Sequence, residues 1–222
     1  MLGIPIGALR LITQIGFASI CSFAAQASQP ERSVKENVIT SERDPKVRIE
    51  LPKSARYVGA DRWVLFGIAD CELHGFVDVD SEGKIDRIYW VQFEGYVPEK
   101  PELKHQYTSP RRVAIGGVDF ILDTWMRAKE EKSTSGSDLE HLSAMIAAKG
   151  YKLPAGMIYA RLVYLLDEQK RRELMIIYAE DVAPTGFAVD DLREKGKARD
   201  RWPAIEKELV ARAKEKIKIV EL

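Results

Sequence analysis

Cysteine is nearly missing from this chain. There are two, Cys21 and Cys71. Cys21 lies in an N-terminal stretch that reads as removable, so the remaining domain has no second thiol for an internal disulfide. A domain exported in that form holds by its core alone. Histidine is almost as sparse, with only His74, His105 and His141. No HExxH or paired CxxC accompanies them, which leaves no basis for a dedicated zinc site, and no metal is expected. An excess of one charge is also lacking: Lys plus Arg number 34 and Asp plus Glu number 34. Neither nucleic acid nor an anionic membrane surface therefore has electrostatic support. GxGxxG, Walker and GxSxG motifs do not occur, and no cofactor is expected.

The N-terminus differs in kind from the rest. "MLGIPIGALRLITQIGFASICSFAAQAS" carries one charged side chain, Arg10, followed by a mostly apolar run from Leu11 to Ala25. Ala25-Gln26-Ala27 then offers small residues where a signal peptidase reads. The pattern predicts a signal peptide over residues 1–27 and a periplasmic or extracellular protein without stable membrane insertion after cleavage. A retained anchor is the rival reading. It is disfavoured because the run is shorter than the roughly 20 residues a spanning helix needs and is interrupted by Gln14. Lipid attachment at Cys21 would want a small residue before it, and Ile20 stands there.

Residues 28–54 are polar and charged, and read as a flexible lead-in. Alternating Val47, Ile49 and Leu51 at its end suggest a short edge strand. Residues 55–222 read as a single α+β domain, an antiparallel β-sheet built from hairpins with helices packed on one face, including a C-terminal helix. "RWVLFGIADCELHGFVDVD" reads as one long strand with a bend near Gly67 or Gly75. Its odd-numbered residues, Trp63 to Val77, are all apolar or glycine. "KIDRIYWVQFEGYVP" is its natural partner. Between them, "DVDSEGKID" spaces acids and a glycine much as a calcium loop does. The flanks are strands, however, and the twelfth position from Asp78 is Tyr89 rather than a bidentate glutamate. A hairpin loop accounts for Asp80 and Gly83 without a metal.

Further on, Gly116-Gly117 marks another hairpin. Residues 127–136 form a charged linker. "SDLEHLSAMIAAKG" is a helix with a capping box of Ser137 and Glu140. "GMIYARLVYLLD" and "ELMIIYAED" form a hairpin, and "RWPAIEKELVARAKEKIK" is the last helix, with Pro203 in its first turn.

One group of residues could carry chemistry. Asp70, Glu72 and His74 project from one strand face with neighbours roughly 7 Å apart, a spacing suited to proton transfer or cation binding. A solvated or salt-bridged face is the plainer account of them. Cys71 alternates to the apolar side and reads as an inert thiol. Glu180 and Asp181, at a strand exit, either join that group or cap the next turn. Tyr89, Trp90, Phe93 and Tyr96 either line a ligand pocket or belong to the core. Together these features predict a non-enzymatic binding module for a small apolar ligand or an envelope protein. The alternatives are a small hydrolase or metal-dependent enzyme using Asp70, Glu72 and His74, and a protein-interaction module working through its charged linker.

Overall fold

The computed structural model describes residues 29–221. The signal-peptide reading of residues 1–27 lies outside the described residues. The described residues form two antiparallel sheets and three α-helices, the α+β class expected from the hairpin pattern. The small sheet contains β1 (Ser33–Lys35), β2 (Val38–Ser41), β3 (Val47–Glu50) and β11 (Lys218–Glu221), in that order. The large sheet contains β4 (Arg56–Leu65), β5 (Ala69–Val79), β6 (Ile85–Tyr96), β7 (Arg112–Ile115), β8 (Val118–Ala128), β9 (Gly156–Leu165) and β10 (Arg172–Asp181). Its order is β4-β5-β6-β10-β9-β8-β7, so β10 is inserted between β6 and β9.

Residues 29–54 are therefore not a flexible lead-in. Three strands occupy them, and Ile39, Val47, Ile49 and Leu51 enter the core at 0–7% exposure. The strands are short and polar on one side, yet β3 is flanked by β2 and β11, so it is an inner strand rather than an edge. Pairing with distant chain supplies what local pattern does not.

The helices α1 (Asp138–Ala148), α2 (Val189–Leu192) and α3 (Trp202–Lys216) also depart from expectation. They divide between both faces of the large sheet rather than sharing one. On the first face, Phe76, Tyr89, Val91, Phe93, Phe120 and Tyr178 pack against the small sheet and against Leu209 and Ala213 of α3. On the second, Leu73, Val77, Trp90, Met157, Met175 and Ile177 pack against Leu142 and Ile146 of α1. Strand alternation produces this division, since neighbours such as Tyr89 and Trp90 point to opposite faces. Each fully buried Leu, Ile or Phe here contributes roughly 1.5–3 kcal/mol relative to exposure.

The stretch read as one long strand is a hairpin. β4 and β5 are joined at Phe66-Gly67, both at positive φ (48° and 73°), and the Ile68 amide donates to the Leu65 carbonyl at 2.9 Å. Phenylalanine is a costly occupant of that conformation. The loop after β5 is the turn expected of "DSEG". The Asp80 carboxylate accepts from the Glu82 and Lys84 amides at 2.8 and 2.9 Å, and Gly83 takes φ 76°. The capping box of α1 does not form. Ser137 Oγ is buried without a partner, and the Glu140 carboxylate accepts instead from the Gly136 amide.

Candidate functional site

The two faces of the large sheet hold different polar machinery. On the face toward the small sheet, register aligns Glu72 of β5 with Phe93 of β6, and His74 with Val91. Glu72 is only 2% exposed and His74 1%. The Glu72 carboxylate accepts the Glu31 and Arg32 amides, both at 2.8 Å, and the Arg32 guanidinium at 3.1 Å. His74 Nε2 lies 2.8 Å from the same carboxylate, while its Nδ1 lies 3.3 Å from the Tyr57 hydroxyl. The Arg32 guanidinium also covers the Phe93 ring at 4.3 Å. Burial alone would raise the Glu72 pKa, but His74, the two amides and Arg32 outweigh it and hold the carboxyl down at about 2. Burial, then the Glu72 charge, pushes the Tyr57 hydroxyl up to about 12.

Asp70 is bound by Arg62 through two contacts at 3.0 and 2.6 Å, and Arg62 also reaches Glu31 at 2.7 Å. Asp70, Glu72 and His74 do share a face as expected, but Glu72 fastens Glu31 and Arg32 to β5, Asp70 holds Arg62, and His74 bridges Glu72 and Tyr57. A carboxylate held near pH 2 is a poor base at neutrality. Asp70, Glu72, Phe93 and Tyr96 border a cleft of about 500 Å³, where Arg32, Arg62 and Arg172 stand among the acids.

Glu180 and Asp181 do not join this group. Register places Glu180 beside Arg87, at the opposite end of the sheet. Arg212 of α3 binds both Glu180 oxygens at 2.8 Å, Tyr178 donates to the same carboxylate, and Tyr89 donates to Asp78 at 2.9 Å. Lys84 pairs with Asp181 at 2.6 Å. This network ties α3 to the sheet. Tyr89 is thus a structural side chain facing α3, and neither it nor Phe93 reaches the space beneath α1.

Of the four aromatic candidates, Trp90 lines a cavity on the second face. The cavity holds about 130 Å³, with Leu139, Leu142 and Ile146 of α1 above and Trp90, Met157 and Ile177 of the sheet below. Arg127, Lys129, Glu131 and Ser133 form its rim. The charged linker is therefore the mouth of the cavity, tied to the turn after α2 by an ion pair between Glu131 and Arg193. Tyr159 continues the wall outward, stacked on Trp125 at 5.0 Å, with Arg161 over Trp125 and Tyr107.

Beside the cavity lies a cluster that sequence reasoning missed. Trp90 Nε1 donates to Gln92, and the Gln92 amide donates to Glu94, both at 2.9 Å. Register sets Glu94 directly opposite Glu173 of β10. The Tyr107 hydroxyl lies 2.8 Å from both Glu173 oxygens, and His105 Nδ1 lies 3.1 Å from one of them. Burial, then the Glu94 charge, raises the Glu173 pKa to about 8. Burial lowers His105 to about 4, so the imidazole is neutral at pH 7. The Tyr96 ring lies tilted against His105, with centroids 4.6 Å apart. Cys71 is fully buried on the same face, and burial raises its thiol far above the ordinary range, as befits an inert packing residue. The alternation Trp90, Gln92, Glu94 was the available signal: a polar pair continuing an apolar stripe.

Among the described residues no helix is long and apolar enough to cross a membrane, and no group of three or more His, Cys, Asp or Glu side chains is arranged to hold a metal ion. Compared with models of protein families, with curated proteins and with solved structures, the chain matches none.

Proposed function

We propose that this protein is a binding module for a compact apolar ligand, held between α1 and the large sheet. The apolar cavity of about 130 Å³ beneath α1 carries the reading. Apolar walls around open space lack the dispersion contacts that a packed core makes. A ligand the size of a single aromatic ring, or the end of an alkyl chain, would restore those contacts. The walls supply dispersion and an aromatic surface, while the rim from Arg127 to Ser133 would meet a polar end of the ligand. Export rests on the pattern of residues 1–27 and places the binding step in the periplasm or outside the cell.

The test is native mass spectrometry of residues 28–222 from an exporting host, followed by benzene titration monitored on the amides of Leu142, Ile146 and Ala179. Expected is either a co-purified mass lost on denaturation or saturable shifts confined to the cavity walls. Ala179→Leu, which fills the space from the floor, should abolish the shifts while the chain stays folded. No retained mass together with no shift at saturating benzene would sink the reading.

A further inference from the structure

We infer that the seating of α1 over the cavity is controlled by protons: Glu94, Glu173 and Asp138 hold the helix down while protonated and release it as they ionise. The consequence for a ligand rests on the cavity being the binding site, whereas the movement of the helix does not.

The geometry comes from three separate parts of the chain. β6 and β10 place Glu94 and Glu173 as direct cross-strand neighbours on the face that α1 covers. Like charges in that relation repel. α1 brings a third carboxyl, Asp138, in its first turn, and Asp138 Oδ1 is buried without a hydrogen-bond partner. The same helix supplies the cavity roof through Leu139, Leu142 and Ile146. The first turn of α1 thus carries a carboxyl that bears on Glu94 and Glu173, and its next two turns roof the apolar space.

The surroundings offer these carboxyls little compensation. Among the described residues, no lysine or arginine forms an ion pair with Glu94, Glu173 or Asp138. Glu94 has the Gln92 amide, and Glu173 has the Tyr107 hydroxyl. From the loop before β7, His105 points its Nδ1 at Glu173; it is 6% exposed and its Nε2 has no partner. Arg161 on β9 is engaged with Asp123 at 2.6 Å and acts on Glu173 only from a distance. His141, one turn along α1, pairs with Asp61 at 2.6 Å and also draws Asp138 down, though less than burial raises it. Cys71 on β5 and Tyr96 on β6 also face the cluster, and both are raised in part by the Glu94 charge.

Burial raises all three, and neighbouring acids add to it for Glu94 and Glu173. Glu94 is raised by burial and then by Asp138, while Asp138 is raised by burial and partly held back by Gln92. The positive end of the α1 dipole favours ionisation here, yet all three carboxyls remain raised. Asp138 is among the causes that raise Glu94 and Glu173, so α1, which carries it, tightens the proton on each when seated. Seating is therefore complete in acid and weakens as pH climbs from the ordinary carboxylate range through about 8, the value for Glu173.

Hydrogen exchange tests this directly, comparing α1 amides with those of α3 between about pH 5 and pH 9 after correction for intrinsic rates. Expected is a loss of α1 protection of about tenfold or more relative to α3 as pH rises, following ionisation of the wild-type Glu173 carboxyl read by carbon-13 NMR. Glu94→Gln/Glu173→Gln should keep α1 at its acid-level protection throughout. Glu94→Gln alone, at the half-buried member, should remove part of the loss and serves if the double variant misfolds. If α1 and α3 keep step at every pH, or the variants retain the full loss, the inference is overturned. If α1 loosens as described while benzene binds at no pH, the proton switch stands and the cavity reading falls.

Discussion

Glu72 and Glu173 are each 2% exposed, on the same sheet, yet one titrates at about 2 and the other at about 8. They sit on opposite faces. Burial raises both, and it is the largest single influence on each. What separates them is the supply of donors. Glu72 receives two amides, a guanidinium and an imidazole. Glu173 receives a tyrosine hydroxyl and faces a neutral imidazole and a second carboxyl. Depth tells how much an ionised group would cost, and the donors tell whether that cost is met. One face is fastened by a charge; the other is held by withholding one.

The largest effect should come from breaking the fastened side. Arg32→Ala strands the Glu72 carboxylate and should destabilise the fold by about 3 kcal/mol, read as a lowered urea midpoint and early proteolysis within residues 29–41. Unchanged stability would mean the clamp is ornamental. Glu173→Gln should act in the opposite direction. It removes a buried charge only where that charge exists, so at pH 9 it should stabilise by about 2 kcal/mol and at pH 5 by almost nothing. A uniform effect across pH would remove the contrast between the two acids.

The pH profile should bend at both ends for separate reasons. The contribution of Glu72 is complete above the ordinary carboxylate range and is lost as pH falls toward about 2. Glu173 costs nothing below that range and its penalty grows up to about 8. Glu72→Gln should flatten only the acid limb and Glu173→Gln only the alkaline one, measured by thermal melts across pH. The smallest expected change lies away from both acids. Phe66→Asn, at a left-handed turn position 60% exposed to solvent, should stabilise the β4–β5 hairpin by about 1 kcal/mol; a loss instead would show that the ring's contact beside Gly136 matters more than backbone strain.

How much of this was legible beforehand follows from parity. The turn at Phe66-Gly67 was invisible because phenylalanine does not announce a left-handed position. The face assignment survived because Trp63 pairs with Cys71 and Leu65 with Ala69, so odd residues stay with odd residues across the turn. Hairpins at Asp80–Gly83 and Gly116-Gly117 carried their own turn chemistry and were readable. The small sheet was not. "VITS" is too short to show a period, and its partners come from β1 and β3, with β11 completing the sheet from the far end of the chain. Asp70, Glu72 and His74 were found together because one strand carries them. Glu94 and Glu173 were missed as a pair because only register makes them neighbours, and register depends on which strand lies beside which.

The pairing of β3 with β11 has a bearing on how the molecule comes into being. β3 cannot acquire its second neighbour until residues 218–221 have left the ribosome, although its own residues emerged long before. Assembly of the small sheet thus waits for β11, and a chain made only as far as α3 leaves β3, with Val47 and Ile49, unpaired along that side.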